Sequence, residues 1–377
     1  MSKLIGWLVA AVGASVMVIA IVNAPERHAQ EFERVISRLM QMTEISAAEG
    51  FTANVIIPPG HVYDPLSSVP YGDGYLLNDD GGVEGEKGSR ILKVGMDGAI
   101  EVVVGLDKLP PVTGVDVAPD GFGDYAGHLY VLTQPRVGPL GIGVNHLVQR
   151  IEIDNGAPEV VCELPALEDG RQASVGTQAK FGPDDSPFEN RLFTVTLGNN
   201  TVYQTTADGI CSPFVTFIGA THGQPFYVTF TPDGQTMLVS LGAPLSMGAA
   251  APNENPGQIA QVSGDGTIGS EYFASGLGRP AGMAFAPEGF GNYGGQLFVS
   301  TVGSLEIPVP MTQQLKRDAQ VVRIAPDGSQ HMVADGFINP MDIKFVHGRL
   351  IVGDINGDFI AGGREVPDGF VVEILPK

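Results

Sequence analysis

The sequence is poor in cysteine, tryptophan and charge. Two cysteines, Cys162 and Cys211, stand among 377 residues. Two cannot build a disulfide framework. They leave two alternatives open: one bridge in an oxidising compartment, or two free buried thiols. There is no G-x-S-x-G elbow, no H-E-x-x-H pair and no C-x-x-C pair, so the commonest local signatures of hydrolytic, zinc and redox chemistry are missing. The single tryptophan, Trp7, lies in an apolar N-terminal run. Charged residues make up only 17%, with 21 Lys and Arg against 42 Asp and Glu, a formal net charge of −21. Such a chain repels phosphate backbones, which sets nucleic acid aside as a partner.

Glycine and proline are plentiful, 51 and 28 residues, and apolar content is 43%. That mixture suits many short strands joined by tight turns. Residues 4–22, LIGWLVAAVGASVMVIAIV, are apolar without a break and follow Lys3. They read as a secretory signal or an uncleaved membrane anchor within 1–24, and the run is close to the length that spans a bilayer. Either way the remainder of the chain is expected outside the cytoplasm, periplasmic or secreted. Residues 25–49 read as a helical spacer, because Phe32, Val35, Ile36, Leu39 and Met40 fall at helical spacing over Pro25 to Ala48.

Residues 50–377 are built from repeats. APDGFGDYAGHLYV at 118–131 returns as APEGFGNYGGQLFV at 286–299. Five turns, GMDGA, IDNGA, TADGI, SGDGT and APDGS, recur every 53–62 residues at Gly98, Gly156, Gly209, Gly266 and Gly328. Asp-Gly and Asn-Gly supply the positive φ of hairpin turns. Two β-like runs precede each hairpin, and in the first of them Val115, Ala179, Val228, Met283 and Ile343 align. Four strands per unit of about 55 residues is the pattern of a propeller blade. The expected fold is all-β: six blades, the last lacking an outer strand, closed by FTANVII at 51–57 so that no edge stays open. The glycine-rich inserts lengthen the turn between the first two strands of blades 2 and 5.

The loops before each first strand and those between second and third strands share one rim of the channel, the default place for a small-molecule ligand. Blade 6 carries DINGDFIAGGRE there. Asp354, Asn356, Asp358 and Glu365 hold positions 1, 3, 5 and 12 of a calcium-loop spacing, with Phe359 where that loop needs glycine. Blade 1 offers NDDGGVEGE, with Asp79, Asp80, Glu84 and Glu86. Ring closure makes the two blades neighbours, so these carboxylates are candidate ligands for Ca2+; solvated loop carboxylates are the alternative. His222, before the inner strand of blade 4, is the candidate general base because histidine titrates near neutral pH, and Asp342, at the inner strand of blade 6, is a second candidate catalytic residue. The loops PRVGPLGIGVN, GAPLSMGAAAPNENPG and SLEIPVPMTQQ are apolar. They can roof a ligand pocket, rest on a membrane, or pack on each other.

GRPAGMAFAPEGFGNYGGQLFVS at 278–300 and FYVTFTPDGQTMLVS at 226–240 resemble blades of the SMP-30/gluconolactonase, strictosidine-synthase-like, paraoxonase-like and NHL-type propellers. NPMDIKFVHGRLIVGD at 339–354 resembles blades of quinone-dependent sugar dehydrogenases. The resemblance implies a propeller, an extracytoplasmic role and, in the first family, a divalent-cation-dependent hydrolase acting on a lactone or ester. The positions of that family's catalytic Asp and metal-binding Asn fall on Ala281 and Phe226, which offer no side-chain ligand. Two further readings stay open: a non-catalytic propeller binding a ligand or partner, and a quinone-dependent sugar dehydrogenase using His222 and Arg279.

Overall fold

The computed structural model describes residues 44–81, 88–134, 146–153, 156–218, 222–242, 257–303, 317–355 and 367–377. Ile45–Lys377 form one compact unit, which starts five residues before the boundary expected from sequence. The candidate anchor and most of the expected spacer helix lie outside the described residues.

Six antiparallel sheets of the expected connectivity make up that unit. In blade 4, for example, Gln224–Phe230, Met237–Gly242, Gln258–Val262 and Ile268–Ser275 follow one another from channel to periphery. The first strands of the blades are neighbours around the ring, and their aligned residues Val115, Ala179, Val228, Met283 and Ile343 are all buried between blades. Strict alternation along these strands puts that column on one face.

Closure occurs as the sequence implies. Phe51–Val62 pairs antiparallel with Gly369–Pro376, with Val55 opposite Val372, and serves as the outer strand of blade 6. First and last blades then have no open edge between them. The helical expectation fails at its C-terminal end. Ser46–Ala47 form a short strand on the outer edge of blade 5, opposite Asp335 and Ala334. Ile45 and Ala47 are half-buried against the apolar cluster of blades 5 and 6, and that packing overrides helix propensity.

The five recurring glycines all have positive φ, between 62° and 85°. At four of the turns the geometry differs slightly from a two-residue hairpin. In GMDGA, Gly98 donates to Gly95 O and Gly95 donates to Ala99 O, a type I turn closed by a left-handed glycine. Asp97 Oδ1 accepts the Ala99 amide at 3.0 Å, and Asp265 and Asp327 do the same two residues on. Four of these turn glycines also lie on the preceding blade, and Gly328 does not. A Cβ on Gly266 would stand 2.6 Å from Phe214 O, and one on Gly98 2.9 Å from Ile56 O. Gly98 and Gly266 thus serve both turn and seam.

The duplicated phrase also has a seam role. In each copy a short 3-10 turn, Gly123–Tyr125 or Gly291–Tyr293, follows a buried phenylalanine. Phe122 packs on Phe181 of blade 3, and Phe290 on Phe345 of blade 6. Two outer fastenings reinforce the same seams. Cys162 and Cys211 form a disulfide between the outer strands of blades 2 and 3. Across the ring the chain from Ser46 to Phe51 crosses from blade 5 to blade 6. There Phe51 stacks on Tyr293 at 4.5 Å, and Gly50 O accepts the Lys377 amide. Of the two alternatives for the cysteines, the bridge is the one adopted.

Candidate site at the channel mouth

Every first strand carries the same irregularity where it leaves the rim. Its register against the second strand slips between Pro65 and Ser67, Val112 and Gly114, Gly176 and Gln178, Pro225 and Val228, Pro280 and Met283, and Pro340 and Asp342. These are β-bulges, which insert an unpaired residue and re-aim its side chain. The aligned residues set in the slips are Leu66, Thr113, Thr177, Phe226, Ala281 and Met341; in blades 4 and 5 the slip also holds Tyr227 and Gly282. All are buried, yet Leu66, Thr113, Thr177, Phe226 and Met341 keep 6–8% exposure, whereas Ala281 keeps none.

Four of the six are apolar and belong to one cluster with Leu197, Tyr227 and Ile355. Blades 1 and 4 face each other across a six-fold ring, so a cluster holding Leu66 and Phe226 spans the channel. A hydrogen bond does the same: Tyr227 Oη donates to Leu66 O at 2.9 Å. Burial, then the Asp342 charge, pushes the Tyr227 phenol well above its ordinary range, so it stays a donor. The Thr177 hydroxyl donates to Phe226 O, fixing the polar side of the floor. The mouth is therefore closed below by a largely apolar floor braced by a tyrosine.

Beneath it, side chains satisfy amides on the free edges of the first strands. Gln178 Oε1 accepts Val228 N at 2.6 Å, Asp116 Oδ2 accepts Phe181 N at 2.7 Å, and Ser67 Oγ accepts Val115 N at 3.3 Å. Asp342 lies at this level, 2% exposed. Its Oδ2 accepts the Ser68 hydroxyl, and its Oδ1 is 3.4 Å from the Lys344 ammonium. Burial, then Asp342 and Glu373, raise the Tyr75 phenol in the same seam.

The other predicted residues fall in distinct settings. Asp79 Oδ1 accepts the Tyr63 and Asp64 amides at 2.7 and 2.9 Å, and Oδ2 meets Arg90 at 2.7 Å. Burial pushes its carboxyl up against the pull of Arg90. Asp354 does the same on blade 6, accepting the Ile338 and Asn339 amides at 2.8 and 3.0 Å. Both lie opposite the proline that opens a first strand, Pro65 or Pro340, so each carboxylate turns the entering chain. Asp80 accepts the Ser89 hydroxyl at 2.9 Å, and that hydroxyl accepts Val112 N. Asn356, Asp358 and Glu365 lie outside the described residues, as do Glu84 and Glu86. His222 Nδ1 accepts the Ile218 amide at 3.1 Å in the loop entering blade 4, two blades from Asp342. Arg279, entering blade 5, is half-buried, with NH1 3.4 Å from Gly303 O.

His146 escaped the sequence reading. It is fully buried, its Nε2 accepts Gly176 N at 3.0 Å, and burial holds its imidazole down to about 4. Of the floor residues, Phe226 and Ala281 stood out only as positions without a side-chain ligand; Leu66, Thr113, Thr177 and Met341 escaped, because one inserted residue breaks the alternation that identifies a strand.

No family model matches the sequence, and no curated protein matches it. Solved structures do. A gluconolactonase from Xanthomonas campestris is 14% identical with a TM-score of 0.54, over 88% of this chain and 91% of that one. The chain is a six-bladed β-propeller. A soluble aldose sugar dehydrogenase from Escherichia coli, in its apo form, gives 14% and 0.54 over 87% and 100%. The PQQ-bound aldose sugar dehydrogenase of Streptomyces coelicolor gives 14% and 0.51 over 88% and 100%. Identities this low carry the fold and no activity. At the two positions matched to a lactonase-type cation site stand Ala281 and Phe226, both in the apolar cluster, and among the described residues no three His, Cys, Asp or Glu gather closely enough to hold a metal ion. The described residues do not fit that group at those positions.

Proposed function

We propose that this is an exported propeller that takes a small, largely apolar molecule at the mouth of its channel, without chemistry of its own. The bulged floor of Leu66, Phe226 and Met341 carries this reading. Burying a methylene from water is worth about 0.8 kcal/mol. The Cys162–Cys211 bridge supports export, since such bonds persist in oxidising compartments. The test is calorimetric titration of the purified protein with methyl esters of increasing chain length. Affinity should rise roughly three- to fourfold per methylene; indifference to chain length refutes the reading.

A second reading, the cation-dependent hydrolase of a lactone or ester, keeps one observation in its favour. Asn339 Oδ1 is a buried oxygen without a hydrogen bond, three residues from the buried Asp342, whose Oδ1 faces the Lys344 ammonium at 3.4 Å. Oxygen donors of this kind suit a hard cation such as Ca2+. Elemental analysis decides it: one divalent ion per chain, lost in Asp342→Asn, supports the hydrolase, and a metal-free protein ends it.

A further inference from the structure

Eight arginines lie among the described residues. Four pair with carboxylates: Arg90, Arg150, Arg171 and Arg349. Arg191 and Arg323 lie over aromatic rings, and each donates to a glutamine Oε1. Arg317 directs two of its nitrogens to Gly336 O. Arg279 differs. Its contact among the described residues is Nη1 to Gly303 O, at a long 3.4 Å. A guanidinium carries five N–H donors in a planar fork, so most of this one is unused. It is also half-buried. Burial holds it below its ordinary range, and the exposed Asp318 offsets only part of that. A charge withdrawn from water without a partner is costly, and an opposite charge on a ligand reduces that cost.

The fork stands at the mouth. Arg279 immediately precedes Pro280–Phe285, the first strand of blade 5, whose bulge holds Ala281. Arg279 O accepts the Val302 amide at 2.9 Å, and Val302 packs on the same apolar cluster as Phe226 and Met341. Gly303, which the guanidinium reaches, donates its amide to Ile338 O at the entry to blade 6. A cationic fork therefore sits on the rim between blades 5 and 6, beside the apolar floor. One fork, with an exposed aspartate near it, suits a planar monoanion better than a phosphate dianion. A carboxylate accepts two of its N–H groups side by side.

We propose that the ligand of this mouth is an aliphatic monocarboxylate, its carboxylate held by Arg279 and its chain lying on the floor of Leu66, Phe226 and Met341. This rests on the mouth being the binding site. The floor sets the chain, and the fork sets the head.

Calorimetric titration at pH 7 compares octanoate with methyl octanoate on the purified full-length protein. Octanoate should bind at least about tenfold more tightly, since a hydrogen-bonded charge pair replaces a neutral contact. Arg279→Gln should remove that preference, and Arg279→Lys should keep only part of it. Arg323→Gln takes a charge from the turn end of the same blade and should keep the preference whole. Urea unfolding checks that each variant is folded. Equal affinity for acid and ester in the wild type overturns the proposal without recourse to any variant. So does a preference that persists in folded Arg279→Gln, or octyl phosphate binding more tightly than octanoate. Hexanoate and its methyl ester, run alongside, read the floor separately. Affinity that rises with chain length but ignores the head removes the carboxylate assignment alone, whereas indifference to chain length removes the mouth as the site.

Discussion

Phe290 stands edge-on to Phe345 with ring centroids 4.8 Å apart, and Phe122 meets Phe181 in the same way at the same distance. One pair joins blade 5 to blade 6, the other blade 2 to blade 3. These seams lie opposite each other across the ring, which is why a phrase repeated three blades apart does the same work twice. Phe122→Ala or Phe290→Ala empties a fully buried site and should cost about 3–5 kcal/mol. Urea unfolding checks it, with exposed Asn292→Ala as the near-neutral control; a loss below about 1 kcal/mol contradicts the wedge role.

The outer fastening of the blade 2–3 seam should matter too. The Cys162–Cys211 bridge closes a loop of 49 residues. Loop-closure entropy for that length is worth about 4 kcal/mol. The double variant Cys162→Ser with Cys211→Ser should lose stability of that order in non-reducing urea. Wild type under a dithiol reductant should unfold at the same denaturant concentration as the variant.

Gly266 and Gly328 separate turn strain from seam contact. Both have positive φ, 85° and 81°, but a Cβ at 266 would meet Phe214 O at 2.6 Å, whereas at 328 nothing lies within 4 Å. Gly328→Ala should cost about 1–2 kcal/mol from backbone strain alone. Gly266→Ala should cost a further 1–3 kcal/mol or so. Equal losses in paired denaturation curves would refute the seam role of these turns.

Acid should weaken the protein through His146. Its folded-state value near 4 lies below the ordinary 6.5, so the neutral form is favoured by folding. That contribution is complete above pH about 6.5. It falls as the unfolded chain takes up a proton and is gone below about 4, a change on the order of 3 kcal/mol. His146→Gln should flatten the stability slope between those limits, whatever its effect at neutral pH. An unchanged slope in urea titrations at pH 7 and 4.5 contradicts the assignment.

The architecture was legible because its signals are local and repeated. Asp-Gly or Asn-Gly turns mark the outer hairpins of five blades, and the Phe51–Ile57 run had no partner except the last sheet. The strap at Ser46–Ala47 was not legible, since its residues continue a helical pattern and only packing on blade 5 makes them a strand. The floor was hidden for a different reason. Leu66, Phe226 and Met341 lie where one residue is inserted, and insertion destroys the period-two signal by which a strand face is read. Asp79 and Asp354 were visible as carboxylates. Their main-chain partners, the amides before Pro65 and Pro340, follow from tertiary geometry that no spacing encodes.

Phe226 and Met341 are the floor residues whose replacement tests ligand binding most directly. Affinities for an ester series are measured for the wild type, Phe226→Asn and Met341→Asn, with folding checked by urea unfolding. The predicted result is a gain of roughly three- to fourfold per methylene in the wild type that both variants largely lose. Equal chain-length dependence in all three folded proteins would contradict it.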